Sequence, residues 1–313
     1  MSYEAAGVSL AKAEEIVERL RAAVTSTQTQ ASGGSFGAFA GLYKLDERRL
    51  LAASTDGVGT KLILQRRSGK LRWAGMDVAA HCINDVLTCG AEPLFFLDYV
   101  AADRLDLAQV VELVEGAAEV CRDSGCILLG GETAELPGVY AKEELDFAGT
   151  CVGMVERDRL IDGPARCQAG DTVIGFRSAG LHANGFTLVR SLIEGDDYDP
   201  ELLLPPTLCY LADVRALRAR ADVHALAHIT GGGIPANLAR ALPAGIGARI
   251  DSSAWQRGAV YDWLNEKGVS EAEQQRVFNL GIGYCAVIPA GDVQSDDLVI
   301  GRLEAGLQGV VLE

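Results

Sequence analysis

Short apolar runs alternate with longer amphipathic stretches along most of the 313 residues, and the joins between them are repeatedly glycine turns that carry an acid or a threonine. Such alternation predicts strands interleaved with helices, which makes the chain a mixed α/β protein. No fixed-period repeat is present, which excludes a solenoid. After a helix capped by Ser9, the polar run Thr25–Ser32 leads into Gly33-Gly34-Ser35-Phe36-Gly37, which reads as a mobile, ligand-covering loop. A strand over Leu50–Thr55 ends in Asp56-Gly57-Val58-Gly59-Thr60-Lys61. A helix follows over Ala74–Cys89, stopped by Gly90 and Pro93. Next come a strand (Leu94–Val100), a helix (Leu105–Ser124), a short strand (Cys126–Leu129) with a glycine turn at Gly130-Gly131-Glu132-Thr133, and a strand over Leu145–Val155.

The periodicity lapses around Asp162 and resumes at Asp171–Phe176, which places a domain boundary near residue 160 and divides the chain into 1–160 and 161–313. The second half alternates too. Gly180-Leu181-His182-Ala183-Asn184-Gly185 leads into one helix and His228-Ile229-Thr230-Gly231-Gly232-Gly233-Ile234-Pro235 into another, with apolar strands near 246–250, 280–288 and 298–312.

Charge narrows the function. With 28 Lys and Arg against 43 Asp and Glu, the net charge of −15 repels polyanions, so nucleic acid is not the expected partner. No run approaches the ~18 apolar residues of a membrane span, and the N-terminus has no signal-peptide core, so the expectation is a cytoplasmic protein with no membrane partner. Eight scattered cysteines without a C-x-x-C pair indicate neither a zinc site nor a disulfide framework.

Asp77, His81 and Asp85 fall at i, i+4 and i+8 of the helix at 74–89, with Asn84 beside them, so oxygen and nitrogen ligands line one face. A solvated polar face is the alternative. Asp56 and Glu132 lie in glycine turns after apolar strands, where backbone approaches ligand closely. Carboxylates gathered from three segments need a cation, and Mg²⁺ shared with a nucleotide's phosphates is the natural one. The metal set is therefore Asp56, Asp85 and Glu132, with Asp77 a further candidate. Asp56–Lys61 lacks P-loop spacing, but Thr60 and Lys61 beside an acid suit phosphate, Lys61 as a point charge. The turns at His182/Asn184 and at Thr230, Gly231, Gly232 and Gly233 are candidate anion cradles, with structural turn chemistry the competing account. His224 and His228 read as ordinary core or surface histidines.

In order along the chain, Ser54–Lys61, Cys82–Val86, Gly90–Tyr99, Gly130–Gly138, Gly180–Gly185 and His228–Gly233 resemble the motifs of the aminoimidazole ribonucleotide synthetase (phosphoribosylformylglycinamidine cyclo-ligase) family over nearly the whole chain. The resemblance implies two α/β domains, a homodimer paired through the sheets of the N-terminal domains, and ATP-dependent ring closure of formylglycinamidine ribonucleotide with Mg²⁺. It implies ATP contacts at Gly33, Gly34, Gly37, Asp56, Gly57, Thr60, Lys61, Asn84, Asp85, Gly131, Glu132 and Thr133. Substrate contacts would come from His182, Asn184, Thr230, Gly231, Gly232 and Gly233, and catalysis from Asp85, His182 and Lys61, with His182 as proton carrier. The chain departs from the family at its N-terminal loop, where a basic segment is expected but no Lys or Arg stands between Arg21 and Lys44. Selenophosphate synthetase shares the architecture but calls for a reactive Cys near that loop, whereas the first Cys here is Cys82. Thiamine monophosphate kinase shares it without the second-half motifs. A catalytically silent nucleotide-binding protein is the reading from a different class.

Overall fold

The computed structural model describes residues 4, 6–7, 9–34, 36–193, 195 and 197–313, so Ser35 of the glycine segment lies outside the described residues. The first domain is a six-stranded sheet of β1 (Ser32–Gly33), β2 (Gly41–Lys44), β3 (Arg49–Gly57), β4 (Glu92–Ala102), β5 (Ile127–Glu135) and β6 (Leu145–Glu156). Its strand order is β1-β2-β3-β6-β4-β5. All pairs are antiparallel except β4 and β5, which run parallel because a helix carries the chain back between them. The second domain is a sheet of β7 (Thr172–Arg177), β8 (Ala225–His228), β9 (Ile246–Ile250), β10 (Ile282–Ile288), β11 (Val299–Ala305) and β12 (Val310–Leu312), ordered β12-β9-β11-β7-β10-β8.

Helices α1 (Leu10–Thr25), α2 (Lys61–Arg67), α3 (Leu71–Leu87) and α4 (Leu107–Ser124) belong to the first domain. The cap of α1 is the expected one, Ser9 accepting from the Lys12 amide at 3.2 Å. α4 begins at Asp106, whose carboxylate accepts from the Gln109 amide at 3.0 Å, and ends at left-handed Gly125. There Cys126 N–H returns to the Cys121 carbonyl at 2.8 Å, closing the terminal turn.

α3 is the axis of the molecule. Ala74, Val78, Ile83 and Val86 pack into the first domain's core, and the opposite polar face is also buried, with Asp77 and Asn84 at 0% exposure and His81 at 3%. It is not a solvated face, because it meets the second domain around Thr207–Tyr210 and His228.

Three local expectations are corrected. Gly130–Thr133 is not a turn but the middle of β5, and Asp56-Gly57 closes β3 inside the sheet. Gly131 is there for clearance, since a Cβ on it would stand 2.3 Å from the Asp98 carboxylate. The glycine segment is anchored rather than wholly free, with Gly33 paired to Leu42. The turn after His228 leads into the helix Gly233–Arg240, with Pro235 its third residue. Among the described residues no helix is long and apolar enough to cross a membrane.

Candidate active site between the two domains

The site forms where the end of β3, the polar face of α3 and the end of β8 meet. Asp56, near the end of β3, receives the Gly57 amide at 2.8 Å and lies 3.2 Å from His81 Nδ1. Burial pushes its carboxyl up, but His81 and Gly57 pull harder, so it sits below the usual carboxylate range. His81 answers in kind: burial disfavours its charged form, yet the hydrogen bond and charge of Asp56 hold its pKa above the ordinary value. Asp85, two turns along α3 from Asp77, accepts from Ser54 Oγ at 2.9 Å and lies 2.8 Å from His228 Nδ1. His228 is pushed down by burial, against Asp85. The His81 and His228 rings stand edge to face with centroids 5.1 Å apart. Two acid–histidine pairs, one within the first domain and one spanning the domain boundary, therefore adjoin, and the Nε2 atoms of both histidines are buried without a protein partner among the described residues.

His182 is fully buried in a left-handed backbone conformation (φ +57°), which only a constrained turn holds for a non-glycine residue. Its Nδ1 has no partner among the described residues, and a Cβ on Gly283 would stand 2.5 Å from its Cε1, so that glycine makes room for the ring. Burial, then the charges of His81, Lys61 and His228, depress its pKa well below 6.5. His182 is thus a neutral imidazole at neutral pH; its Nε2 accepts from the Ala179 amide at 3.4 Å, which leaves the proton on the unpartnered Nδ1 as a hydrogen-bond donor. Asn184 does not cap the next helix, where Gly185 stands instead. It lies against the other glycine turn, where a Cβ on Gly231 would stand 3.6 Å from its amide oxygen. Gly232 and Gly233 serve backbone geometry: both have positive φ, and a Cβ on Gly233 would meet the Gln275 carbonyl at 2.4 Å. Thr230 is tied to buried Asn237 at 3.2 Å. Thr60 bonds Thr187 at 3.0 Å, linking the Asp56 turn to the second domain.

Other expected site residues are committed elsewhere. Lys61 is entirely buried, its ammonium 2.8 Å from Asp77 and donating to the Pro205 carbonyl at 2.8 Å. Asp77 also accepts from Gln65 and from the Thr207 amide and hydroxyl. This is an ion pair joining the domains, with no face of Lys61 turned to a phosphate and no oxygen of Asp77 left for a metal. Asn84 donates to the Leu208 carbonyl and accepts from the Tyr210 amide, at 2.8 and 2.9 Å.

Strand register separates the acids. Asp56 pairs with Gly149, Gly149 with Asp98, and Asp98 with Gly131, so these four share one row and one face. Gly57, Ala148, Tyr99 and Glu132 form the next row, on the opposite face. Glu132 is exposed there, and among the described residues its carboxylate accepts only from the Thr133 amide at 2.9 Å. The acid on Asp56's face is Asp98, about 10 Å away across two strand spacings, with its carboxyl raised by burial. Among the described residues no three His, Cys, Asp or Glu side chains stand together as a metal cage, so the expected triad of Asp56, Asp85 and Glu132 is not assembled within the chain. Sequence reasoning passed over Asp98 and set His228 aside. The one available signal for Asp98 was an acid directly after the apolar run Leu94–Leu97, as Asp56 follows Leu50–Ala53 two residues further on.

Residues 37–155 match the family described as AIR synthase related protein, N-terminal domain, and residues 168–295 its C-terminal domain. The fold is shared with a solved structure described as AaThiL complexed with AMPPCP and TMP, at TM-score 0.69 and 18% identity over 96% of this chain and 94% of that one. It is also shared with hydrogenase maturation protein HypE in complex with ATP, at TM-score 0.62 and 20% identity over 95% and 90%. Two α/β domains meeting at a polar boundary are thus those of the AIR synthase-like proteins. Within that class, a protein of Synechococcus sp. (strain CC9605) named phosphoribosylformylglycinamidine cyclo-ligase is 47% identical over 96% of this chain and 91% of its own length. The chain belongs to the phosphoribosylformylglycinamidine cyclo-ligase family.

Proposed function

We propose that the chain is an ATP-dependent carbon–nitrogen ligase of purine biosynthesis that closes the imidazole ring of formylglycinamidine ribonucleotide, giving 5-aminoimidazole ribonucleotide, ADP and phosphate. The observation that carries this reading is the 47% identity to a cyclo-ligase over 96% of the chain.

In this reaction the γ-phosphoryl group passes to the formyl oxygen, the substrate's own nitrogen attacks the formyl carbon, and phosphate leaves in place of a poorly leaving hydroxide. The chemistry asks the protein for positioning and charge neutralisation. Asp56 suits Mg²⁺: it is held ionised by His81 and its side chain is 39% exposed. Asp98, a half-buried carboxyl without an ion-pair partner among the described residues, would be a second ligand on the same face. Mg²⁺ keeps waters and shares phosphate oxygens, so one or two carboxylates suffice, and the bound ion would neutralise the transferring phosphoryl group. Asp85, fixed by Ser54 and His228, lies beside them. Neutral His182, whose Nε2 accepts from the Ala179 amide at 3.4 Å, carries its proton on the unpartnered Nδ1 and would donate that N–H to an oxygen of the substrate. Thr230, Gly231 and Asn184 line the substrate side, and Gly33, Gly34 and Gly37 the nucleotide side, with a domain division near residue 160.

The bare face of the first sheet supports a homodimer. Helices cover only its other side, while Tyr43, Leu97 and Tyr99 are exposed on it and β5 is an open edge with Ile127 and Leu129 at 62% and 61% exposure. Pairing there would bring Glu132 and Thr133 of β5 to the partner's surface. A cytoplasmic setting agrees with a nucleotide-fed reaction. The test is to incubate the protein with formylglycinamidine ribonucleotide and MgATP and measure ADP and the aminoimidazole together. Equal amounts are expected, and ADP without ring closure rejects the assignment.

A further inference from the structure

The glycine segment Gly33–Gly37 has no basic residue of its own, yet a cation reaches it from the other domain. Arg240, the last residue of the helix Gly233–Arg240, donates from Nε and Nη2 to the Gly37 carbonyl at 3.1 and 2.9 Å. Its guanidinium lies over the Phe39 ring with 3.8 Å to the centroid. Nη1 donates to Asn237 Oδ1 at 3.3 Å, and buried Asn237 in turn donates to the carbonyls of Thr230, Gly231 and Gly233. A continuous chain of bonds therefore runs from Gly37 through Arg240 to the second domain's glycine turn.

We propose that Arg240 is the positioning residue that holds Gly37–Phe39 over the site and supplies the fixed positive charge to a phosphate-bearing ligand that this segment lacks in its own sequence. The fork is held on one edge by a carbonyl and on one face by a ring, which fixes its direction. Three of its five N–H groups are used on neutral acceptors, so two remain. No carboxylate comes within ion-pair distance among the described residues, and Asp85 is the acid whose charge reaches it. In a chain of net charge −15, a guanidinium without a carboxylate partner retains its attraction for phosphate. A cavity of about 370 Å³, lined by Gly34, Phe39, Thr88, Ala225 and Arg240 among others and by one acid, Asp162, opens beside it. The triphosphate of ATP and the 5′-phosphate of the ribonucleotide share the chemistry this group recognises.

The cyclo-ligase reading enters only in naming those two ligands. The test compares full-length Arg240→Ala and Arg240→Lys with the unaltered chain in two arms. Hydrogen–deuterium exchange of the ligand-free protein at the amides of Gly37–Ala40 should be roughly tenfold faster in Arg240→Ala, the effect of losing about one charge-assisted hydrogen bond, with Arg240→Lys between. KM should rise by roughly tenfold for one ligand with kcat nearly kept, and Arg240→Lys should recover part of it. A rise for MgATP assigns the charge to the triphosphate, and a rise for the ribonucleotide assigns it to the 5′-phosphate. Unchanged exchange, or a rise in neither KM, overturns the proposal. If the unaltered chain does not turn over, the cyclo-ligase reading fails by itself, and calorimetric binding of MgATP and of the ribonucleotide replaces the KM measurement.

Discussion

Burial decides which charged residues serve structure and which serve chemistry. Lys61 carried a phosphate-binding expectation because it follows a glycine turn, but its ammonium is spent on Asp77. Removing one member of a fully buried pair strands the other, so Lys61→Met should lower the free energy of unfolding by about 3 kcal/mol. In urea melts, Lys61→Met/Asp77→Leu should lose less than the sum of the two single changes, whereas a residue reserved for phosphate would leave the melt unmoved. His182 makes a prediction of the opposite kind. Its folded pKa is depressed, so below the unfolded value of about 6.5 the unfolded chain binds the extra proton, and stability present above that pH is lost on acidification. His81 acts with the other sign, since its raised pKa contributes stability that is present at low pH and lost as pH rises through it. Replacing His182 by Asn, which tolerates positive φ, should therefore shrink the fall in melting temperature between pH 7.5 and 5.5, measured by circular dichroism. An unchanged fall would place the acid sensitivity elsewhere.

Helices in this protein are positioned by close backbone approach as much as by apolar faces. α3 and α4 cross with Gly75 against Gly116. A Cβ on Gly75 would stand 1.9 Å from the Leu113 carbonyl, and one on Gly116 would stand 1.9 Å from that of Arg72. Backbone cannot yield as a side-chain tip does, so Gly75→Ala should cost about 3 kcal/mol even though alanine is the better helix former. An unaltered urea midpoint would mean that the helices slide apart freely. The periodicity of α3 was legible in the sequence to within three residues at either end. Its surroundings were not, because a polar stripe looks the same whether water or a second domain lies against it. The same ambiguity affected β5, where two adjacent glycines read as a turn but admit the Asp98 carboxylate into a continuing strand.

At the scale of the whole molecule the proposed dimer rests on the open face of the first sheet. Leu129→Lys places a charge at an exposed position on the open edge strand, so it should shift sedimentation from dimer toward monomer with little change in the melting of the monomer itself. A species that already sediments as a monomer without the substitution would end the dimer proposal. Strand–helix alternation and the ordered glycine motifs were enough to reach the family, because short-range periodicity and turn chemistry are local properties of a chain. The grouping of acids was not reachable that way. Whether Glu132 or Asp98 shares a face with Asp56 depends on pairing partners tens of residues distant, and a shift of one residue in that pairing turns a side chain to the other side of the sheet. His228 and Arg240 join the site for the same reason: domain packing, which no local pattern encodes, brings them against Asp85 and Gly37.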